Sequence, residues 1–162
     1  MRRSQIGLFL LMFPIVGCST TEIHQNESAS EQVIVLRVVD GDTIEVQMKD
    51  GSQERVRFIG IDAPETNGGN APDCYAQESA DFLRGEIDKS TITLIPQPTD
   101  NRDKYKRLLR YVHTPTDDVG LKMIDLGLAT SYPWFNHPRK GEYKYAEDEA
   151  KRKNKGLWGE CE

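Results

Sequence analysis

Residues 33–162 predict a mainly β domain with helices packed on it (α+β), a five-stranded, partly open Greek-key barrel of the OB type plus three helices. Three observations predict it. Five short runs rich in β-branched and aromatic residues are separated by turn residues; three stretches carry a helical stripe or a helix stop; and about 130 residues suit one domain. No internal repeat or second domain shows in the sequence.

Residues 33–39 are apolar and β-branched and read as the first strand. Residues 44–48 and 55–59 alternate in polarity around Lys49-Asp50-Gly51-Ser52, the pattern of a β-hairpin. A two-residue loop at Asp50-Gly51 would set Ile44 opposite Arg57 and spoil the apolar face. Shifting the register by one residue sets Ile44 against Phe58, Val46 against Val56 and Asp42 against Gly60. Residues 67–73 are loop. From residue 75 to 87, Ala76, Ala80, Leu83 and Ile87 recur at helical spacing and predict a helix packed on the barrel. Residues 91–95 and 108–113 read as the fourth and fifth strands. A short helix over 119–126 stops at Gly127, and a last one over 143–155 stops at Gly156, leaving Leu157 and Trp158 to pack.

Ahead of the domain, residues 1–17 have the layout of an export signal: Arg2 and Arg3, an apolar run from Ile6 to Val16, then Gly17 before Cys18. The run is too short to span a bilayer well. Ile15-Val16-Gly17-Cys18 resembles a bacterial lipobox, in which Cys18 is acylated and becomes the mature N-terminus; an ordinary signal peptide with an incidental Cys18 is the alternative. Residues 18–32 are polar and Ser-rich, a flexible tether. The expected destination is the bacterial cell envelope, lipid-anchored at the outer membrane or cell surface, or the medium if Cys18 is not acylated.

Charge constrains the partner. The full chain carries a formal −5; losing residues 1–17 removes two arginines and no acids, leaving 19 basic against 26 acidic residues, near −7. Such a chain has no general affinity for phosphate backbones, so a nucleic acid must be held by local charge. Arg102, Lys104, Lys106, Arg107 and Arg110 form one basic stretch, and a second, from Arg139 to Lys155, reads as a solvated helix face. With Cys18 assigned to lipid, Cys74 and Cys161 remain as a candidate disulfide in an exported protein, the rival being two free thiols. No Cys-x-x-Cys or paired-His spacing supports zinc. His24 lies in the tether, and His113 and His137 match no catalytic pattern.

The chemistry-bearing runs are Asp40-Gly41-Asp42-Thr43 and Gly60-Ile61-Asp62-Ala63-Pro64-Glu65-Thr66, at the two outer ends of the hairpin. A hairpin brings such ends together, so Asp42 and Asp62 share one mouth. Two carboxylates there repel unless a cation sits between them, and an all-oxygen shell suits Ca²⁺ or Mg²⁺. The longer runs Val39-Asp40-Gly41-Asp42-Thr43-Ile44 and Arg57-Phe58-Ile59-Gly60-Ile61-Asp62-Ala63-Pro64-Glu65-Thr66, together with Asp103-Lys104-Tyr105-Lys106-Arg107, resemble in order and spacing the thermonuclease (staphylococcal nuclease) family over roughly residues 33–160. Each motif alone is weak; the ordered set is specific.

The resemblance implies the same OB-type fold and a Ca²⁺-dependent endonuclease acting on DNA, RNA or both and leaving 3′-phosphates, with Mg²⁺ the less favoured ion. It implies Asp42, Asp62 and the backbone carbonyl of Ala63 as metal ligands, Glu65 as the group that orients or deprotonates water, and Arg57 and Arg107 as donors to the phosphate. Lys104, Tyr105 and Tyr132 would contact substrate. Tyr132, Trp134 and Phe135 divide between base stacking and core. Ala63 stands where some relatives have Thr, and Lys106 where a glycine is common. A monomer is expected. The rival function is a non-catalytic OB-fold lipoprotein that binds nucleic acid or protein; the presence of every acid and both arginines separates the two readings.

Overall fold

A computed structural model describes residues 30–67, 69 and 71–161. The expected export signal, the expected lipid site at Cys18 and residues 18–29 of the expected tether lie outside the described residues.

Five strands close into a barrel in the order β1 (Glu31–Asp40), β2 (Thr43–Gln47), β3 (Gln53–Phe58), β6 (Leu108–His113) and β5 (Thr91–Pro96). The sequence pointed to a partly open barrel, and the structure closes it. Strand β3 pairs in parallel with β6, Val56 beside Leu108, while the first half of β1 pairs with β5 and the second with β2. One strand can serve two neighbours because β1 is bulged twice, between Val35 and Arg37 and between Val38 and Asp40. The bulges are visible in the inward residues, Val33 and Val35 two apart and then Val38 after three.

The hairpin register also differs from expectation. Ile44 lies opposite Val56 and Thr43 opposite Arg57, and Asp42 meets Phe58, whose N–H donates to the Asp42 carbonyl at 2.9 Å, so Gly60 lies beyond the pairing. The cause is the turn. Met48 N–H donates to Ser52 O at 2.8 Å and Gly51 N–H to Met48 O at 3.0 Å, with Gly51 at φ +85°, a three-residue loop with a glycine bulge. The slip is an even number of residues, so Ile44, Val46, Val56 and Phe58 still face the core, all 2% exposed or less.

Helix α1 (Ala76–Ile87) lies against β1 with Ala76, Ala80, Leu83 and Ile87 inward, the predicted stripe. Helix α2 (Val119–Asp125) is capped by Asp118, which accepts from Leu121 N–H at 3.0 Å. Helix α3 (Lys140–Arg152) packs on α2 and begins a turn earlier than predicted. Its first turn, Lys140-Gly141-Glu142, is polar and carries no stripe. It also ends before Gly156, because Asn154 takes φ +48°. Two short elements escaped the sequence: β4 (Ile61–Asp62) pairs with β7 (Thr130–Ser131), and α4 (Leu157–Glu160) follows Gly156.

Glycine is required where Gly127 and Gly156 cross. A Cβ on either would stand 2.1–2.2 Å from the other strand's carbonyl oxygen, Lys155 O or Gly127 O. That crossing sets α4 so that Cys161 meets Cys74 in a disulfide, with Cα atoms 5.9 Å apart.

Candidate active site

The Asp40-Gly41-Asp42-Thr43 turn is pressed between α1 and Ala63. A Cβ on Gly41 would lie 2.1 Å from Ser79 Oγ and 2.6 Å from Ala63 Cβ, so only glycine fits. The turn folds on itself as Asp42 N–H donates to Asp40 Oδ1 at 3.1 Å, and this drives the Asp42 side chain inward until it is 2% exposed. There its Oδ1 accepts from Thr43 Oγ1 and its Oδ2 from Ala63 N–H, both at 2.9 Å. Those partners do not compensate the burial. Desolvation pushes the Asp42 carboxyl up to about 7; Arg57 opposes it, Asp40 adds to it, and the Ala63 and Thr43 hydrogen bonds pull back.

Arg57 is the hub. Its Nη2 lies 2.9 Å from Asp42 Oδ2 and 2.8 Å from Asp62 Oδ1, while Nη1 donates to Ile61 O at 2.8 Å and Phe58 O at 3.2 Å. One nitrogen therefore bridges both predicted metal acids, whose oxygens are no further apart than those two contacts laid end to end. Strand parity does not aim Arg57 here; the turn after β3 does. Gly60, at φ +77°, brings Ile61 and Asp62 back over the guanidinium, and a Cβ on Gly60 would strike the His137 ring at 2.4 Å. The β4–β7 pair then fixes Asp62, whose carbonyl accepts from Thr130 Oγ1 at 3.2 Å. Its carboxylate stays half exposed. His137 is buried and bonded to the Tyr111 hydroxyl at 3.0 Å, a packing role consistent with the absence of a catalytic pattern around it.

Arg107 enters from the loop before β6. Asp103, which the sequence placed in a motif but gave no role, accepts from the N–H groups of Tyr105 and Arg107 at 2.9 Å and from Arg107 Nε at 2.7 Å. An aspartate opening a tight turn was the available signal. Lys106 sustains the turn at φ +66°, in the left-handed region where the related glycine would sit without strain. Arg107 Nη1 is then 3.4 Å from Thr43 Oγ1, at the edge of hydrogen-bond range, so it faces the Asp42 turn.

The two arginines, Lys104, Tyr105, Tyr132 and Phe135 line one open cleft of about 510 Å³. Tyr105 stacks beneath Arg107, its ring centroid 5.4 Å from the guanidinium carbon. Tyr132 donates its N–H to Gly60 O at 2.8 Å and is 40% exposed as a residue. Trp134 is 85% exposed, and Phe135 packs partly on the core while lining the cleft.

Glu65 sits on the exposed turn after Pro64, within electrostatic range of Asp40, Asp62 and both arginines. Packing against the protein raises its carboxyl above the ordinary carboxylate range; Asp40 and Asp62 add to the rise, and Arg57 and Arg107 oppose it. The structure thus brings Asp42, Asp62, Arg57 and Arg107 to one mouth, and it sets Glu65 in an adjoining cavity lined also by Asp62 and Ala63.

A divalent ion fits on one observation: Asp42 is a buried carboxylate whose single cationic partner among the described residues, Arg57, is shared with a second acid. No cluster of three or more His, Cys, Asp or Glu side chains forms a ready metal shell among the described residues. Two carboxylates with backbone and water oxygens completing the shell would suit a hard ion that keeps open positions. For Ala63, the group that touches Asp42 is its N–H.

A small closed barrel with acids and guanidinium groups gathered at its mouth defines a nuclease-type OB protein. A family model described as "Staphylococcal nuclease homologue" matches residues 55–160, a span containing Arg57, Asp62, Glu65 and Arg107, with Asp42 ahead of it. The chain is 32% identical to a thermonuclease of Staphylococcus intermedius over 94% of this chain and 92% of that protein. It is 31% identical to the thermonuclease of Staphylococcus hyicus over 98% and 99%. An uncharacterized endonuclease of Escherichia coli O157:H7 is 30% identical over 96% of this chain and 88% of its own length. The chain belongs to the staphylococcal nuclease homologue family, and its relatives support a hydrolytic nuclease activity.

Proposed function

We propose that the protein is a Ca²⁺-dependent endonuclease that hydrolyses phosphodiester bonds of DNA, RNA or both and leaves 3′-phosphates. The observation that carries this is the Asp42–Arg57–Asp62 bridge at the cleft that Arg107 also lines, with Glu65 in the adjoining cavity beside Asp62 and Ala63. Asp42, Asp62 and the Ala63 carbonyl would hold the ion, which when bound neutralises phosphate charge and lowers the pKa of water. Glu65 orients a water and takes its proton as the water oxygen attacks phosphorus; the P–O5′ bond then breaks, and the departing 5′-oxygen takes a proton from solvent to leave as a hydroxyl. Arg57 turns one edge of its guanidinium from the acids to the phosphate, and Arg107 supplies a second fork to the oxygens that gain charge. Lys104 and Tyr105 lie where a terminal phosphate would enter, and Tyr132 offers a face for a base. In the cell the chain is exported and held to the envelope by lipid at Cys18.

The test is cleavage of single-stranded DNA, duplex DNA and RNA by the chain lacking residues 1–18, with Ca²⁺, Mg²⁺ or chelator, beside Glu65→Gln. Cleavage should need the ion and fall at least about 10²-fold in the variant. Chelator-resistant cleavage, or an undiminished variant, removes this mechanism; binding without cleavage in every condition would support the non-catalytic reading.

A further inference from the structure

Beside the cleft, the loop that carries Glu65 is pinned at a point outside the acid and arginine set. Asp73 Oδ2 accepts from Glu65 N–H at 3.1 Å, and Asp73 N–H donates to Glu65 O at 3.0 Å. The backbone of Glu65 is thus clasped on both sides by one residue. The N-cap of α1 is Tyr75, in the left-handed region and without a side-chain cap, and the N–H of Ala76, the first helical residue, goes to the Asp73 carbonyl at 3.1 Å. The Asp73 carboxylate is directed at Glu65.

Asp73 is itself braced. Its neighbour Cys74 is joined to Cys161, and Cys161 is placed by α4 and the Gly127–Gly156 crossing. A second cavity of about 320 Å³, lined by Asp62, Ala63, Glu65, Asp73 and both half-cystines, joins this brace to the site wall. The two hydrogen bonds to Asp73 both run through the Glu65 backbone, so the residue is held from the backbone side.

We propose that Asp73, braced by the Cys74–Cys161 disulfide, is a positioning residue that holds Glu65 in place for the attack on phosphorus. This rests on Glu65 serving as proposed above. A loop held only by Pro64 would let the carboxylate wander, and a displacement of about 1 Å costs on the order of 10²-fold in rate. Asp73 acts on the rate and not on substrate affinity, because it lines the adjoining cavity and not the cleft lined by the arginines that grip the phosphate.

The experiment is a kinetic cycle on the Ca²⁺-loaded protein with single-stranded DNA: wild type, Asp73→Ala, Asp73→Asn, Glu65→Gln and the Asp73→Ala/Glu65→Gln pair, with thermal melting of each. Asp73→Ala should lower kcat about 10- to 100-fold with KM within about twofold. Asp73→Asn, which keeps an acceptor for Glu65 N–H, should recover at least a third of wild-type kcat even if Asp73→Ala folds poorly. In the Glu65→Gln background Asp73→Ala should cost less than about twofold, since the two act through one group. An equal loss in both backgrounds, an Asp73→Asn no better than Asp73→Ala, or an unchanged kcat in Asp73→Ala overturns the positioning role alone. Glu65→Gln at wild-type kcat overturns the base assignment and the positioning role with it.

Discussion

The barrel mouth and the α2–α3 shoulder each bury an aspartate beside an arginine, with opposite outcomes. On the shoulder, Asp118 caps Leu121 N–H at 3.0 Å, accepts the Tyr143 hydroxyl at 2.8 Å, pairs closely with Arg139 and has His113 Nε2 at 3.7 Å. Glu147 nearby is likewise met by Ser131 and by Lys144 and Lys151. At the mouth, Asp42 shares with Asp62 the one arginine it pairs with among the described residues, and it is pushed up to about 7. Lys106 is held left-handed, and the Ser79 hydroxyl under Gly41 is buried without a partner. Where buried charge is fully paired it organises the fold; where it is left short of counter-charge, the fold carries a cost that a ligand can relieve.

The largest effect expected is on the shoulder. Asp118→Ala strips a nearly buried pair, a helix cap and a tyrosine acceptor at once, and should cost about 3–5 kcal/mol of stability in urea unfolding. Activity per folded molecule should stay within about twofold. A loss under 1 kcal/mol would erase the contrast. At the mouth the sign reverses: Asp42→Asn should raise the stability of the ion-free protein at pH 8, by up to about 4 kcal/mol if the whole shift from 3.8 to about 7 is recovered, while abolishing cleavage. A destabilised Asp42→Asn would mean that Asp42, like Asp118, is a satisfied structural acid.

The raised carboxyl also fixes a pH dependence. Below pH 4 Asp42 is protonated folded and unfolded and contributes nothing. Between about 4 and 7 the unfolded chain loses the proton that the folded chain keeps, so stability falls as pH rises and levels off above 7. Ca²⁺ at 100 times its Kd should restore about 2.7 kcal/mol at pH 8 and far less at pH 5, read as a shift in melting temperature. Because Glu65 is raised as well and must be ionised to take a proton, cleavage should fade as pH drops, and more Ca²⁺ should move the acid limb lower by displacing the proton on Asp42. A melting shift equal at both pH values would separate ion binding from Asp42.

How much of this was legible follows from the range of each interaction. The inward residues of β1, β2 and β3 and the stripe of α1 were readable because burial repeats with strand or helix period. Asp42, Asp62, Glu65 and both arginines stood in ordered motifs. The register was missed because Gly51 adds a bulge that leaves the alternation intact. Strands β4 and β7, two residues each, are too short to carry a period, and the first turn of α3 has none. Arg57's hold on two acids depends on Gly60 turning the chain back, and the Asp73–Glu65 clasp depends on where α1 begins. Both are tertiary facts with no local pattern.

The smallest effect sharpens the contrast from the other side. Lys106 adopts φ +66°, and its N–H donates to Asp103 O at 2.9 Å while its carbonyl accepts from Arg102 Nη1 at 2.7 Å. For an L-residue with a Cβ that conformation costs roughly 1–2 kcal/mol, part of which glycine returns through its greater freedom in the unfolded chain. Lys106→Gly should therefore stabilise the protein by about 0.5–1 kcal/mol in chemical denaturation and leave the Asp103–Arg107 contacts intact. The same change made at Arg139, the α3 cap at φ −94°, relieves no such strain and removes the partner of Asp118, so it should destabilise. If Lys106→Gly gains nothing, the turn that presents Arg107 is no more burdened than the shoulder, and the cost at the mouth lies in its buried acids alone.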